Sequence, residues 1–257
     1  MSRTMILSAT ITPPSGVRGL ERADPALRLN DYLQAFEFYL KVPSEFLGRI
    51  VFADNSNSDV TALQELADRL GGDKEVHVLS FDGLDHPSSY GRGYGELKLM
   101  DRIIDEFEPI AKLPPETIVW KGTGRYKLLN IASMIRRAPE PYDLYCDQRI
   151  WPVHWFDMRF FSFSIGGYRR LLRGRYRELR EDVVGGTQDP GISISEIELR
   201  KILEPKFTEK GVIPRFNTEP LVSGLKSADS SPYITRKSRV KFWMRKTARV
   251  LAPGIWV

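Results

Sequence analysis

Short apolar runs alternate along this chain with stretches in which apolar residues return every three or four positions. Met5 to Ile11 is the first run, Ile50-Val51-Phe52 the second, Val76 to Phe81 the third and Thr117-Ile118-Val119-Trp120 the fourth. Between them, Asn30 to Lys41 carries Tyr32, Phe36, Phe38 and Tyr39 and reads as a helix ended by Pro43. Val60 to Leu70 and Glu96 to Glu108 read as two more. Such alternation predicts an α/β fold, a Rossmann-like, mainly parallel sheet flanked by helices. Later, Tyr142 to Arg149 reads as a strand or strand pair, Trp155 to Ser164 as an aromatic strand and Gly167 to Glu181 as an Arg-rich helix. Ile192 to Leu203 reads as a helix with Ser193 or Ser195 as its cap, and 211 to 216 as a last short strand.

The connections carry the polar chemistry. Ligands of open parallel sheets bind beyond the carboxyl ends of the strands, which is where Thr10, Thr12, Asp54 and Asp82 fall. Residues 13 to 24 form a loop rich in Pro, Gly and charge. Gly91-Arg92-Gly93-Tyr94-Gly95 is expected to end a second loop, whose glycines let backbone approach a ligand ahead of a helix N-terminus that favours anions, with Gly93 and Tyr94 in the wall.

Composition narrows the partners. A chain of 257 residues, 42% of them hydrophobic, can bury a full core, and residues 1–229 are expected to form one domain. No run spans a bilayer and no secretory leader is visible, so a cytoplasmic protein is expected. The single cysteine, Cys146, excludes an intramolecular disulfide and any cysteine-rich metal site, and the three widely spaced histidines argue against a histidine-built zinc site. The net charge of +5 is local: residues 230–257 hold seven Arg and Lys and no acid, leaving −2 for the rest. On a helical wheel Val240, Trp243, Met244, Ala248 and Leu251 share one face, while Lys241, Arg245 and Arg249 share the other. Residues 236–251 therefore suit an anionic membrane surface, and equally a helix packed on the body with its basic side in solvent. No nucleic-acid module accompanies the charge.

Two motifs carry a resemblance. Asp54-Asn55-Ser56-Asn57-Ser58-Asp59, at the end of an apolar run, resembles the Asp-Asn-x-Ser-x-Asp signature of GT-A glycosyltransferases. It is also ordinary turn chemistry that would cap the next helix. Lys121-Gly122-Thr123-Gly124-Arg125-Tyr126, with Asn130 beyond, resembles an element of GT-A-type transferases that build bacterial and viral surface glycans. The resemblance implies a nucleotide-sugar donor (a UDP-, GDP- or dTDP-sugar), with Thr10, Thr12, Asp54 and Asn55 on the nucleoside. Lys121, Thr123, Gly124 and Arg125 would then hold the diphosphate. It also implies a hexosyltransferase that extends a lipid-linked polysaccharide such as a capsule or lipopolysaccharide, on the inner face of the cell membrane. The usual Asp-x-Asp for Mn²⁺ or Mg²⁺ is missing between Thr117 and Asn130, so a metal is in question, and Asp147 is a possible substitute ligand.

Asp147, Arg149, Trp155 and Arg159 are candidates for the acceptor wall, although Asp147 with Arg149 and Asp157 with Arg159 would also serve as ion pairs on exposed strand faces. The resemblance also implies a carboxylate base at the start of a late helix to deprotonate the acceptor, which by its place falls on Glu196, with Asp189 and Asp157 behind it. Two other functions fit less of the sequence. A sugar-nucleotide pyrophosphorylase would need a phosphate-wrapping loop after the first strand, imitated only faintly by residues 12–19. A non-catalytic membrane scaffold on a transferase fold would bind no nucleotide.

Overall fold

The computed structural model describes residues 3–150, 153–183, 193–225 and 231–251. The first half runs β1 (Arg3–Ala9), α1 (Pro25–Leu40), β2 (Leu47–Asp54), α2 (Thr61–Leu70), β3 (Glu75–Ser80), α3 (Arg92–Glu106), α4 (Glu108–Ala111) and β4 (Ile118–Thr123). The second half runs β5 (Lys127–Leu128), α5 (Ile131–Arg136), β6 (Leu144–Tyr145), β7 (Gln148–Arg149), β8 (Trp155–Phe156), β9 (Phe160–Ser164), α6 (Ile165–Leu171), α7 (Ile194–Leu203), β10 (Val212–Ile213), β11 (Val222–Ser223) and α8 (Arg236–Leu251).

Seven strands form the central sheet in the order β10-β6-β9-β4-β1-β2-β3. All pairings are parallel except those of β9, which runs against both β4 and β6. The mainly parallel, helix-flanked sheet expected from the apolar runs is therefore what the chain builds. Parallel strands covered on both sides read as continuous apolar runs, because successive side chains enter opposite layers. Met5, Leu7, Ile50 and Phe52 pack under α1 and α2, and Ile6, Val51, Ala53 and Val119 pack under α3 and α7. Right-handed crossovers explain this division. The chain moves outward from β1 to β3 with α1 and α2 on one face, then returns across β1 to β4 with α3 on the other.

Several boundaries differ from the sequence reading. Helix α1 starts five residues before Asn30, because the Asp24 side chain accepts the Leu27 N–H at 2.9 Å and Pro25 opens the first turn. The expected helix from Gly167 to Glu181 ends at Leu171, and Gly174, at φ +80°, turns the chain into a short 3₁₀ segment. The aromatic stretch from Trp155 to Ser164 is two strands, β8 and β9, and the stretch from 211 to 216 keeps only Val212–Ile213 as strand.

The glycine-rich loop is the main correction to the fold. Gly93 and Gly95 lie inside α3, and only Gly91, at φ +85°, makes the entry turn. A Cβ on Gly93 would sit 2.2 Å from the Ser195 Cβ, so this glycine lets α3 and α7 approach closely. Gly93→Ala is expected to cost about 1–3 kcal/mol through overpacking. The midpoint of chemical denaturation should fall, and adding Ser195→Gly, which removes the clashing atom, should restore part of it.

Candidate active site

Strand order reverses between β1 and β4, the position at which open α/β sheets leave a crevice beyond their carboxyl ends. A cleft of about 1010 Å³ opens there. That is the upper end of the roughly 300–1,000 Å³ typical of small-molecule sites, enough for two reactants together. Of the residues picked from the sequence, Thr10, Asn55, Gly93, Thr123, Arg125, Trp155, Arg159 and Glu196 line it. Asp189 lies outside the described residues, as does the whole of 184–192 in the loop before α7.

Asp54 is placed differently from the expectation that it meets a nucleoside. Its fully buried carboxylate accepts the backbone N–H groups of Ile11 (2.7 Å), Ser56 (3.1 Å) and Ser58 (3.1 Å), together with the hydroxyls of Ser56 and Ser80. It ties the loop after β1 to the loop after β2 and is not in the cleft wall. Thr12 joins the same framework through the Ser58 hydroxyl at 2.7 Å. The exposed product of this framework is Thr10, whose hydroxyl donates to the Asn55 side-chain carbonyl at 2.7 Å on the cleft surface.

Lys121, expected on a diphosphate, is likewise committed elsewhere. Its side chain is fully buried, its ammonium pairs with Glu96, and it donates to the Met158 carbonyl at 2.6 Å and the Thr123 hydroxyl at 3.1 Å. Glu96 also accepts from Ser8 at 2.6 Å and Thr123 at 2.8 Å. Burial opposes ionisation of Glu96, but the Lys121 charge and these donors outweigh it and hold the carboxyl below its ordinary range. Gly124 sits behind the wall, its N–H donating to the Ser8 carbonyl at 2.8 Å. The guanidinium groups that reach the cleft are those of Arg18, Arg28, Arg92, Arg125 and Arg159. Arg28 holds the Thr10 carbonyl at 2.8 Å, and Arg125 packs on the Tyr126 ring 3.8 Å from Asp31. Arg18 and Arg92 are exposed and form no ion pair among the described residues. Arg92 opens α3, whose first turn faces the cleft through Gly91, Gly93 and Gly95. Tyr94 points away into a ring cluster with His86, Tyr90 and Tyr176.

The opposite wall carries the carboxylates. Helix α7 begins with Glu196 folded back on the Ser193 N–H at 3.2 Å, which leaves its other oxygen 3.4 Å from the Met158 N–H. Burial and the negative charge of Asp157 push the Glu196 carboxyl up to about 7, against the pull of Arg159. Asp157 itself lies behind the wall. It pairs with Arg159 through Nε at 2.8 Å and Nη2 at 2.5 Å, and although burial opposes its ionisation, that guanidinium keeps its carboxyl low. Arg159 spans the rings of Trp155 and Tyr233 at 5.9 and 5.0 Å. Glu181 accepts from the hydroxyls of Ser193 and Ser195.

Asp147 and Arg149 do not form an acceptor wall, and neither Asp147–Arg149 nor Asp157–Arg159 is an exposed strand pair. Asp147 is buried between Arg149 (2.7 Å) and Arg249 (2.9 Å). A carboxylate saturated by two guanidiniums does not suit a metal. Among the described residues no group of three His, Cys, Asp or Glu converges to hold one. The described residues therefore do not fit a protein-caged divalent ion.

Sequence reasoning missed Ser8, Arg28, Arg92, Glu96, Glu181 and Tyr233. Glu96 left a trace, a carboxylate between Gly95 and the apolar face of α3, and Arg92 lies within the glycine-rich stretch already expected in the wall; the others come from segments that only folding brings together.

No family model matches the chain and no curated protein matches it. Among solved structures, the chain is similar to the inositol-1-phosphate CTP transferase from T. maritima, at 13% identity, TM-score 0.43, covering 98% of this chain and 97% of that one. It is also similar to mouse xyloside xylosyltransferase 1, at 8% identity, TM-score 0.40, covering 80% and 83% of the two chains.

Two outcomes are expected. Lys121→Met leaves Glu96 buried without its cation and should cost about 3–5 kcal/mol in denaturant titration, whereas adding Glu96→Gln should recover much of it. Glu196 releases its proton near 4.5 when unfolded but near 7 when folded. The native state therefore holds more protons in that window, and this group's contribution to stability falls as pH rises through it. Glu196→Gln should thus stabilise the protein by up to about 2–3 kcal/mol near pH 8 and have little effect near pH 4, read as thermal midpoints at both.

Proposed function

We propose that this protein is a glycosyltransferase that moves a hexose-type sugar from a nucleotide-sugar donor to a hydroxyl of a growing, lipid-linked surface glycan. The observation that carries the reading is Glu196, a carboxyl poised near neutrality in the wall of a cleft large enough for donor and acceptor. A general base works best when its proton affinity matches the working pH.

On this reading the nucleoside lies against Thr10 and Asn55, and the diphosphate against Arg125, Arg92 and the first turn of α3. The acceptor enters between Trp155 and Tyr233, with Arg159 between them. Glu196 takes the proton of the attacking hydroxyl as its oxygen bonds to the anomeric carbon. The bond from that carbon to the phosphate oxygen breaks, and its electron pair leaves on the nucleoside diphosphate. Guanidinium groups stabilise the charge that builds there, the task a metal performs in many such enzymes. We assign the enzyme to the cytoplasm, at the inner face of the membrane.

One observation favours a second reading. Between Thr10 and Asp24 the chain wraps over the cleft mouth, contributing Pro13, Pro14, Val17, Arg18, Gly19 and Leu20 to its lining, with Gly16 and Gly19 at φ +77° and +64°. An Arg-bearing loop with glycines, directly after the first strand, suits a nucleoside triphosphate, and so a sugar nucleotidyltransferase.

Thermal unfolding against UDP, GDP, dTDP and the nucleoside triphosphates, with Mn²⁺ and with EDTA, separates the readings, because a ligand of the folded state raises the midpoint. A shift with one diphosphate that persists in EDTA is expected. Preference for a triphosphate would support the nucleotidyltransferase, and no shift with any nucleotide would leave a non-catalytic scaffold. In a glycosyl-transfer assay, Glu196→Gln should lower kcat by about 10²–10⁴ with nucleotide binding intact, and the wild-type rate should rise with pH through about 7.

A further inference from the structure

The helical wheel of α8 predicts a basic face and an apolar face, and the structure turns them the opposite way from a surface helix. Arg249 points inward, 2.8 Å from Glu219 through Nε, 2.9 Å from Asp147 through Nη2, and also on the Phe216 carbonyl. Arg245 follows one turn earlier, 3.9 Å from Glu219. The apolar face points outward: Val240, Trp243, Met244 and Leu251 are 59%, 61%, 64% and 78% exposed. The cause lies in the body. Asp147 and Glu219 are buried carboxylates beside Arg149, and α8 supplies the further cations that make their burial tolerable. Once the basic side is used in this way, the apolar side has nowhere to go but solvent.

Other places in the molecule lead less far. The ring cluster of His86, Tyr90, Tyr94 and Tyr176 packs α3 against the segment after α6. The Nε and Nη1 of Arg200, which have no hydrogen-bond partner among the described residues, do not line the cleft. The outward stripe of α8 is different, because its surroundings state what would cover it.

At 100° per residue, Lys241 and Lys246 fall on the two flanks of the stripe, and Lys246 lies 4.7 Å from the Trp243 ring centroid. Arg236, Lys237 and Arg239 add cations in the first turn, and no acid occurs anywhere from residue 230 to 257. A second copy of this chain would set these cations against themselves in a two-fold contact, which disfavours self-association. A partner must accept apolar side chains in the middle and carry negative charge on both sides. An anionic bilayer surface does so, with acyl chains beneath a sheet of phosphates.

We propose that the outward face of α8 docks this protein on an anionic lipid surface, with Val240, Trp243, Met244 and Leu251 entering the headgroup region and Lys241 and Lys246 pairing with lipid phosphates. The buried contacts of Arg249 and Arg245 fix the helix to the body, so docking also fixes the orientation of the whole molecule. Tyr233, three residues before α8, lines the cleft beside Arg159, so the docking helix follows directly in the chain from one edge of the cleft. The inference stands on α8 and its contacts, and holds whatever the cleft transfers.

The test uses the full chain with vesicles of phosphatidylcholine alone and of phosphatidylcholine containing about a third phosphatidylglycerol, in co-sedimentation at low and raised salt. Binding to the anionic vesicles only, weakened by salt, is expected. Trp243→Ser with Met244→Ser should weaken it at least about tenfold without lowering the thermal midpoint. The fluorescence difference between wild type and Trp243→Phe should shift to the blue when anionic vesicles are added. Equal binding to neutral vesicles, unchanged binding by the double variant, or none at all would overturn the proposal. So would a dimer in sedimentation velocity that the double variant dissolves, or single-stranded nucleic acid displacing the protein from the vesicles.

Discussion

One buried ammonium joins most of the parts that make the cleft. Lys121 lies on β4 opposite Ile6 of β1, and its charge reaches Glu96 of α3, Thr123 at the end of β4 and the Met158 carbonyl in the turn before β9. A charge buried in this way is tolerated only if every donor finds an acceptor, so the position of α3 and of the β8–β9 turn is set by what Lys121 requires. The cleft therefore has a rigid floor at the reversal in strand order, and α3 presents its first turn and Arg92 at that point.

A second set of charges acts on the opposite wall. Asp157 is neutralised by Arg159, and Glu196 stands next to the pair at the start of α7. Burial and the Asp157 charge raise its carboxyl toward neutrality, against the pull of Arg159 and of the Ser193 N–H that it accepts. Close approach of α3 and α7, allowed by the missing side chain at Gly93, brings this wall against the floor. Stability and chemistry are coupled here, because the packing that seats Glu196 is the packing that makes its ionisation costly.

The third set, Asp147 and Glu219 with Arg149 and Arg249, lies behind the β7–β8 pair and anchors α8. In the first and third sets a buried acid meets a cation from a distant segment, Glu96 with Lys121 and Asp147 and Glu219 with Arg249, and each of these pairs closes a tertiary contact that apolar packing leaves unspecified in direction. For α8 that direction decides which face of an amphipathic helix meets solvent.

The sequence by itself determined the layered α/β architecture, because apolar periodicity reports directly on which side chains enter a core, and β1 to β4 with α1 to α3 follow from it. The cleft lies beyond the strand ends, where the apolar runs stop, and Glu196, selected through the resemblance, is one of the residues that line it. Tertiary structure alone decided the fate of the charged residues. Lys121 and Asp54 sit in motifs that look ligand-directed, yet both face inward to partners 25 or more residues away (Glu96) or across a loop (Ile11). Gly93 reads as loop and is helix, since a glycine records only that a side chain is absent and the neighbour that forbids one, Ser195, lies a hundred residues on. The wheel of α8 gave two faces without their orientation. Hydrophobicity is a property of a residue and is legible one residue at a time, whereas the role of a charge depends on the partner it meets, and that partner is chosen only when the chain folds.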